Sequence, residues 1–153
     1  MIKNVIFDFG CVLIHWDQHN LYDSYFGSKE KTDWFVDNIC TWEWNNQTDV
    51  GKSFAESVAE TFPVVKDKFS VFGMMDGIVM SGEEMISKPD LRIYQILLDR
   101  YGLKAEECVF IDDRKSNTEA GEKLGIQGIV FENCEQAKAA LENIKNHEDK
   151  NHQ

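Results

Sequence analysis

From residue 77 to residue 144 the chain alternates short apolar runs with amphipathic ones: GIVM (77–80), KPDLRIYQILLDRYG (88–102), CVFIDD (108–113), SNTEAGEKLG (116–125), GIVFE (128–132) and NCEQAKAALENI (133–144). Strand followed by helix, repeated, is the pattern of a parallel sheet, because parallel neighbours need a crossover and the crossover is usually a helix. Such a sheet is covered on both faces, so its strands read as continuous apolar runs rather than alternating ones. NVIFDF (4–9) has the same character. The expectation is an α/β fold, a Rossmann-like parallel sheet with helices on both faces.

The helices carry their own punctuation. In 88–102, Asp90 is placed to cap, Leu91, Tyr94, Leu98 and Tyr101 form an apolar face, and Gly102 stops the run. The run 116–125 ends at Gly125, and Asn133 with Gln136 is spaced as a capping box for the last helix. KNHEDKNHQ (145–153) reads as a frayed polar tail. Residues 15–62 are mostly helical with polar breaks: Leu21, Tyr25 and Phe26 share a helical face, as do Trp34, Phe35 and Ile39, and then Phe54, Val58 and Phe62.

In parallel α/β sheets ligands bind beyond the carboxyl ends of the strands. Asp8, Ser81, Asp112 and Asp113 all fall at or just past such ends, so they are expected to converge on one edge. Converging carboxylates repel, and the usual remedy is a hard cation with oxygen ligands; Mg²⁺ suits a few carboxylates plus water. Lys88 can reach the same edge. A carboxylate nucleophile, a divalent cation and a lysine form a phosphoryl-transfer set: the first attacks phosphorus, the others neutralise charge on its equatorial oxygens.

These runs resemble the motifs of the haloacid dehalogenase-like (HAD) hydrolase superfamily. VIFDFGCVL is similar to its first motif, SKPD to its third and VFIDDRKSN to its fourth. The segment 62–131 resembles the branch holding sugar-phosphate phosphatases such as glucose-1-phosphatase. The resemblance implies that Asp8 is the nucleophile, passing through an aspartyl-phosphate, and a metal ligand. It implies the Gly10 carbonyl as a second ligand, Asp113 as the fourth-motif ligand and Asp112 beside it in the same metal set. Lys88 would hold phosphate and nucleophile. Asn117 falls where the family often holds a metal-bound water, and with Lys88 and Ser81 it would face substrate. The implied organisation is a core of 1–14 and 62–153 with a reduced helical cap over 15–61. The implied activity is Mg²⁺-dependent hydrolysis of a small phosphorylated metabolite.

Two departures qualify that picture. Gly10 stands where most family phosphatases have an acid–base aspartate, and the glycine expected next is Cys11. Losing a positioned acid–base group typically costs on the order of 10²–10⁴-fold; His15 and Asp17 are candidate replacements. The second departure is the second motif, a strand closing in Ser or Thr, for which no candidate occurs between residues 45 and 62. About fifty residues are missing relative to a full core and cap. The family pairs that strand beside residues 4–9. An unpaired buried strand is costly, so the expected repair is that GIVMS moves inward to pair with 4–9, bringing Ser81 to the site. Pairing with another chain, giving a homo-oligomer, is a second repair. A non-catalytic HAD-like binding protein and a 2-haloacid dehalogenase are the rival readings; a matching halide-holding arginine is not found.

Composition narrows the partners. The net charge is −11, with 27 acidic against 16 basic residues, which disfavours nucleic acid because phosphate backbones attract basic patches. Cys11, Cys40, Cys108 and Cys134 form no C-x-x-C pair, which argues for reduced thiols and against zinc. The first residues enter the strand pattern directly, without the features of a signal peptide, and no apolar run is long enough to span a bilayer. A cytoplasmic location, with no membrane partner, is the expectation.

Overall fold

The computed structural model describes residues 1–15, 17–39 and 70–150. The chain divides into two compact units, one of Met1–Ile14, Met74–Val79 and Lys88–Gln153, the other of His15–Gly73 and Met80–Ser87.

The first unit is built on a three-stranded parallel sheet in the order β1 (Asn4–Phe7), β2 (Cys108–Asp112), β3 (Gln127–Val130). Phe7 pairs with Ile111, and Ile111 with Ile129. All five β2 residues are buried. Because successive side chains alternate between faces, Val109 and Ile111 point one way and Phe110 and Asp112 the other. Val109, Ile111 and Ile129 form a core against Ala140, Leu141 and Ile144 of the last helix (Cys134–Lys150). On the opposite face Tyr94 of the helix Leu91–Tyr101 meets Phe110 edge-on, with ring centroids 5.5 Å apart at 83°. A methyl group on Gly121, in the helix Lys115–Glu122, would touch both of those rings. Helices therefore cover both faces of the sheet, as the alternation predicts.

Among the described residues the helices, in chain order, are α1 (Gln18–Phe26), α2 (Lys29–Asn38), α3 (Ser81–Glu84), α4 (Leu91–Tyr101), α5 (Lys115–Glu122) and α6 (Cys134–Lys150), with 3₁₀ turns at Ser70–Met74 and Ala105–Glu107. Asp90 caps α4 by accepting from the Arg92 N–H at 2.9 Å, and Gly102 ends it with φ +61°. The buried face of α4 is Ile93, Tyr94 and Leu98; Leu91 and Tyr101, expected on it, are each 39% exposed. Asn133 accepts from the Gln136 N–H at 2.9 Å, while the Gln136 amide oxygen takes the Glu132 N–H at 3.3 Å, so the cap reaches one residue further back than the capping-box spacing implies. α6 continues to Lys150, so the expected frayed tail is mostly helical.

Two expectations are overturned. GIVM (77–80) is not a strand, and residues 76–81 form no ladder with 4–9. The reason is local: the Tyr101 hydroxyl accepts from the Ile78 N–H and donates to the Ile78 carbonyl, both at 2.8 Å. Ile78 thereby satisfies its backbone on α4 instead of on a sheet. Among the described residues β1 has a ladder on one side only, to β2, and Val5 and Phe7 remain 38% and 39% exposed. The expectations for Phe54, Val58 and Phe62, and the 45–62 stretch searched for the second motif, lie outside the described residues.

In the second unit α1 and α2 pack through aromatic rings, Tyr22 with Phe35 at 4.9 Å and Phe26 with Phe35 at 5.1 Å. Asp17 caps α1, accepting from the His19 N–H, and Gly27 at φ +61° ends it. The His19 ring spans Asp17 (Nδ1 to Oδ1, 3.1 Å) and Asp33 of α2 (Nε2 to Oδ1, 2.8 Å), and Lys29 adds a 3.0 Å pair to Asp33. Among the described residues no helix is long and apolar enough to cross a membrane.

Candidate active site

The site forms where β1 and β2 end side by side. The Asp8 N–H donates to the Ile111 carbonyl at 2.8 Å, carrying the parallel ladder one residue past β1. That contact sets Asp8 beside Asp112, the last residue of β2. The chain then turns sharply: the Phe9 carbonyl accepts from the N–H groups of Leu13 and Ile14, at 3.0 and 3.1 Å. Cys11 takes a left-handed conformation, φ +60°. Glycine adopts that conformation most easily, and Cys11 occupies the place where the family pattern has glycine, so the turn is kept without its preferred residue. Gly10 lies inside this turn and bridges to Ile14.

Asp112 has no solvent exposure, and its oxygens are fully used. Oδ1 accepts from the Arg114 N–H and from Asn117 Nδ2, both at 2.9 Å; Oδ2 accepts from Asn117 Nδ2 at 3.0 Å and from Lys88 Nζ at 2.6 Å. Lys88 also donates to Asp8 Oδ1 at 2.5 Å. It reaches this point from the loop before α4, through a cis peptide to Pro89. Its ammonium also lies over the Phe110 ring, 5.3 Å from the centroid.

Asp113, next in the chain, is exposed. Its carboxyl is held above the usual aspartate range, first by desolvation and then by the charges of Asp112 and Asp8. Asp8, Asp112 and Asp113 each bring one oxygen within 4.8 Å of the others. That donor set fits a hard cation: three carboxylates share one edge, and one of them is reluctant to ionise without further positive charge.

Asn117 stands in the first turn of α5 and is 4% exposed; its amide nitrogen is spent on Asp112, and its Oδ1 has no partner among the described residues. Turning the amide over would face its oxygen to the Asp112 carboxylate, so the assignment is physically fixed. A buried acceptor left over calls for a water or another donor. The Tyr94 hydroxyl donates to the Asn117 carbonyl at 2.8 Å, tying α5 to α4. Burial and the charges of Asp112 and Asp8 push that hydroxyl's pKa up, so it stays a donor.

Asp8, Lys88, Asp112, Asp113 and Asn117 are thus brought together as expected from their places in the sequence, with Gly10 in the adjoining turn. Ser81 is not a strand end. It opens the short helix α3, in the second compact unit, with its carbonyl accepting from the Ile86 N–H at 3.3 Å. Of the two candidate replacements for the missing acid–base, Asp17 is the α1 cap and a His19 partner, and His15 is highly exposed. Phe110 and Tyr94 were legible only as core residues; their aromatic identity and their place facing Lys88 and Asn117 mark them as supports of the site.

Residues 59–131 match the family of haloacid dehalogenase-like hydrolases. A 91-residue segment, 59% of this chain, is 37% identical to mouse acyl-CoA dehydrogenase family member 10 but spans 8% of that protein. Another of 71 residues, 46% of this chain, is 31% identical to sesquiterpene phosphatase astK of Aspergillus oryzae and spans 36% of it. The chain therefore covers well under two thirds of these curated relatives. In fold it is similar to a variant of a HAD-family enzyme of Bacteroides thetaiotaomicron solved with magnesium and inorganic phosphate, with a TM-score of 0.60, 17% identity and coverage of 86% of this chain and 95% of that one. The motif order and the parallel sheet that brings the motifs to one edge agree with this match of residues 59–131 to haloacid dehalogenase-like hydrolases.

Proposed function

We propose that the chain hydrolyses a phosphate monoester of a small metabolite with the help of Mg²⁺, and that Asp8 is the nucleophile. The observation that carries this reading is the division of labour among the acids. Asp112 is saturated by Lys88, Asn117 and the Arg114 N–H, whereas Asp8 and Asp113 keep oxygens available at the same edge. Asp8 and Asp113, with the Gly10 carbonyl, would hold the ion, and Asp112 would fix Lys88 and Asn117 around it. When bound, Mg²⁺ supplies positive charge against the phosphoryl oxygens.

The chain's own residues do the rest. An Asp8 oxygen attacks phosphorus, the ester P–O bond breaks, and the leaving oxygen takes a proton. Lys88, already on Asp8, offsets charge on the transferring group. Water then attacks the aspartyl-phosphate and releases inorganic phosphate, restoring Asp8. With Gly10 in the acid–base position the leaving oxygen draws its proton from solvent. This favours substrates whose leaving group needs little protonation, such as a phosphate on an anomeric sugar carbon, over simple alkyl phosphates. A phosphatase among the relatives supports the reaction class.

Gly10 also supports a second reading, a HAD-like module that binds phosphate or a phosphorylated ligand without turnover. One assay series separates them: release of phosphate from p-nitrophenyl phosphate and from sugar 1-phosphates, with and without Mg²⁺, for the wild type and Asp8→Asn. Turnover that needs Mg²⁺ and disappears in Asp8→Asn is expected. Turnover that survives in Asp8→Asn would refute the mechanism, and ligand binding without turnover would select the second reading. Halide release from 2-haloacids in the absence of Mg²⁺ would point to dehalogenation instead.

A further inference from the structure

We propose that Phe110 is a positioning residue for Lys88: its ring face holds the lysine ammonium at the mouth of the Asp8–Asp112 cleft. The part of this inference that concerns turnover rests on the phosphatase reading; the part that concerns Lys88 itself does not.

Lys88 is the flexible member of the site. Its four-carbon stem enters from a loop, and its side chain is 26% exposed. Among the described residues its ammonium is held by Asp8 Oδ1, Asp112 Oδ2 and the Phe110 ring, 5.3 Å below. They are not equivalent. Asp8 is also an acid that a bound cation and a phosphoryl group would claim, so its hold on Lys88 weakens when the site fills. Asp112 constrains the ammonium from one side only. The ring face carries partial negative charge but makes no bond that a metal of this kind would take, so it remains a partner throughout.

The ring is itself fixed. Phe110 is 3% exposed in the middle of β2, two residues before Asp112 and so on the same face of the sheet. Tyr94 packs edge-on against it, and the same Tyr94 hydroxyl anchors the carbonyl of Asn117, which in turn orients Asp112. Lysine, aromatic face and carboxylate are thus referenced to one strand and one helix. A leucine at position 110 would fill space comparably but offer no charge to the ammonium.

The test changes the ring's electrons with little change in its shape. Phe110 is replaced site-specifically by phenylalanines with increasing ring fluorination, and separately by leucine. Urea unfolding of the full chain is measured for each, in the Lys88 protein and in Lys88→Met. Fluorination should lower stability stepwise when Lys88 is present and have no stepwise effect in Lys88→Met. With Lys88 present, kcat for p-nitrophenyl phosphate should fall in the same order, reaching on the order of tenfold, with KM changing less. Equal effects of fluorination in both backgrounds would mean the ring is packing alone and would overturn the proposal. If even the wild type hydrolyses no phosphate ester, the phosphatase reading fails, and the unfolding cycle by itself decides whether Phe110 holds Lys88.

Discussion

Lys88 places its ammonium 2.6 Å from Oδ2 of Asp112, a carboxylate with no solvent exposure, across 24 residues of chain. The pair joins the loop before α4 to the end of β2, so it organises the site and fastens the fold together. Removing one partner of a buried pair leaves a charge without its counter-charge, which costs about 3–5 kcal/mol when both groups are fully buried. Lys88 is partly exposed, so Lys88→Met is expected to cost about 2–3 kcal/mol, read from urea unfolding. A loss below about 0.5 kcal/mol would show that solvent or Asn117 already satisfies Asp112.

Asp113 carries the pH signature of the site. Its carboxyl titrates above the ordinary aspartate value of 3.8 because of desolvation and then the charges of Asp112 and Asp8. A folded-state value above the unfolded one means that the native chain binds more protons between the two, so stability falls as pH rises through that window. Without divalent cation, Asp113→Asn is expected to be more stable than the wild type at neutral pH, and the advantage should vanish below the ordinary aspartate range. Adding Mg²⁺ should stabilise the wild type and not the variant. Melting temperatures over a pH series, with and without Mg²⁺, measure both effects.

The site was more legible in the sequence than the sheet around it. Asp8, Lys88, Asp112, Asp113 and Asn117 sit in contiguous motifs, and each motif lies at a strand end or a helix start, so local order alone gathers them. GIVM misled because a four-residue apolar run looks the same whether it pairs in a sheet or lies against a helix. What decided it was Tyr101, twenty-three residues away, whose hydroxyl takes both backbone groups of Ile78. Periodicity placed Tyr101 on the buried face of α4, yet the residue is partly exposed and works through its hydroxyl. The roles of Phe110 and Tyr94 were hidden for a similar reason. Apolar patterning reports that a ring is buried but not which charge lies over it.

The second unit has a pH dependence of the same sense, carried by a histidine. His19 titrates above its ordinary value of 6.5, chiefly through its hydrogen bond to Asp33 and then through the one to Asp17; Lys29 opposes the shift. A raised histidine value means that the stabilisation is fully present below the ordinary value and is lost as pH rises through the folded one. Between about pH 6 and about pH 8, thermal stability of the wild type should therefore decline more than that of His19→Gln. Parallel declines in the two proteins would show that the clamp between α1 and α2 does not need a charged ring.

Gly77 is required by Tyr101. A β-carbon at position 77 would fall well inside contact distance of the Tyr101 ring carbons Cε1 and Cζ, and the ring cannot retreat without giving up both hydrogen bonds to Ile78. Gly77→Ala is therefore expected to destabilise by about 1–3 kcal/mol, the range for overpacking. Tyr101→Ala removes the obstacle together with the brace, so the double variant should be little worse than Tyr101→Ala alone. Tyr101→Phe separates the two contributions: it loses the Ile78 bonds, at about 0.5–1.5 kcal/mol each and nearer the low end at this exposed position, while keeping the clash with an alanine at 77. Additive costs in the Gly77→Ala, Tyr101→Ala pair would mean that residues 74–79 are not held by this ring. The local explanation for why GIVM lies outside the sheet would then be wrong.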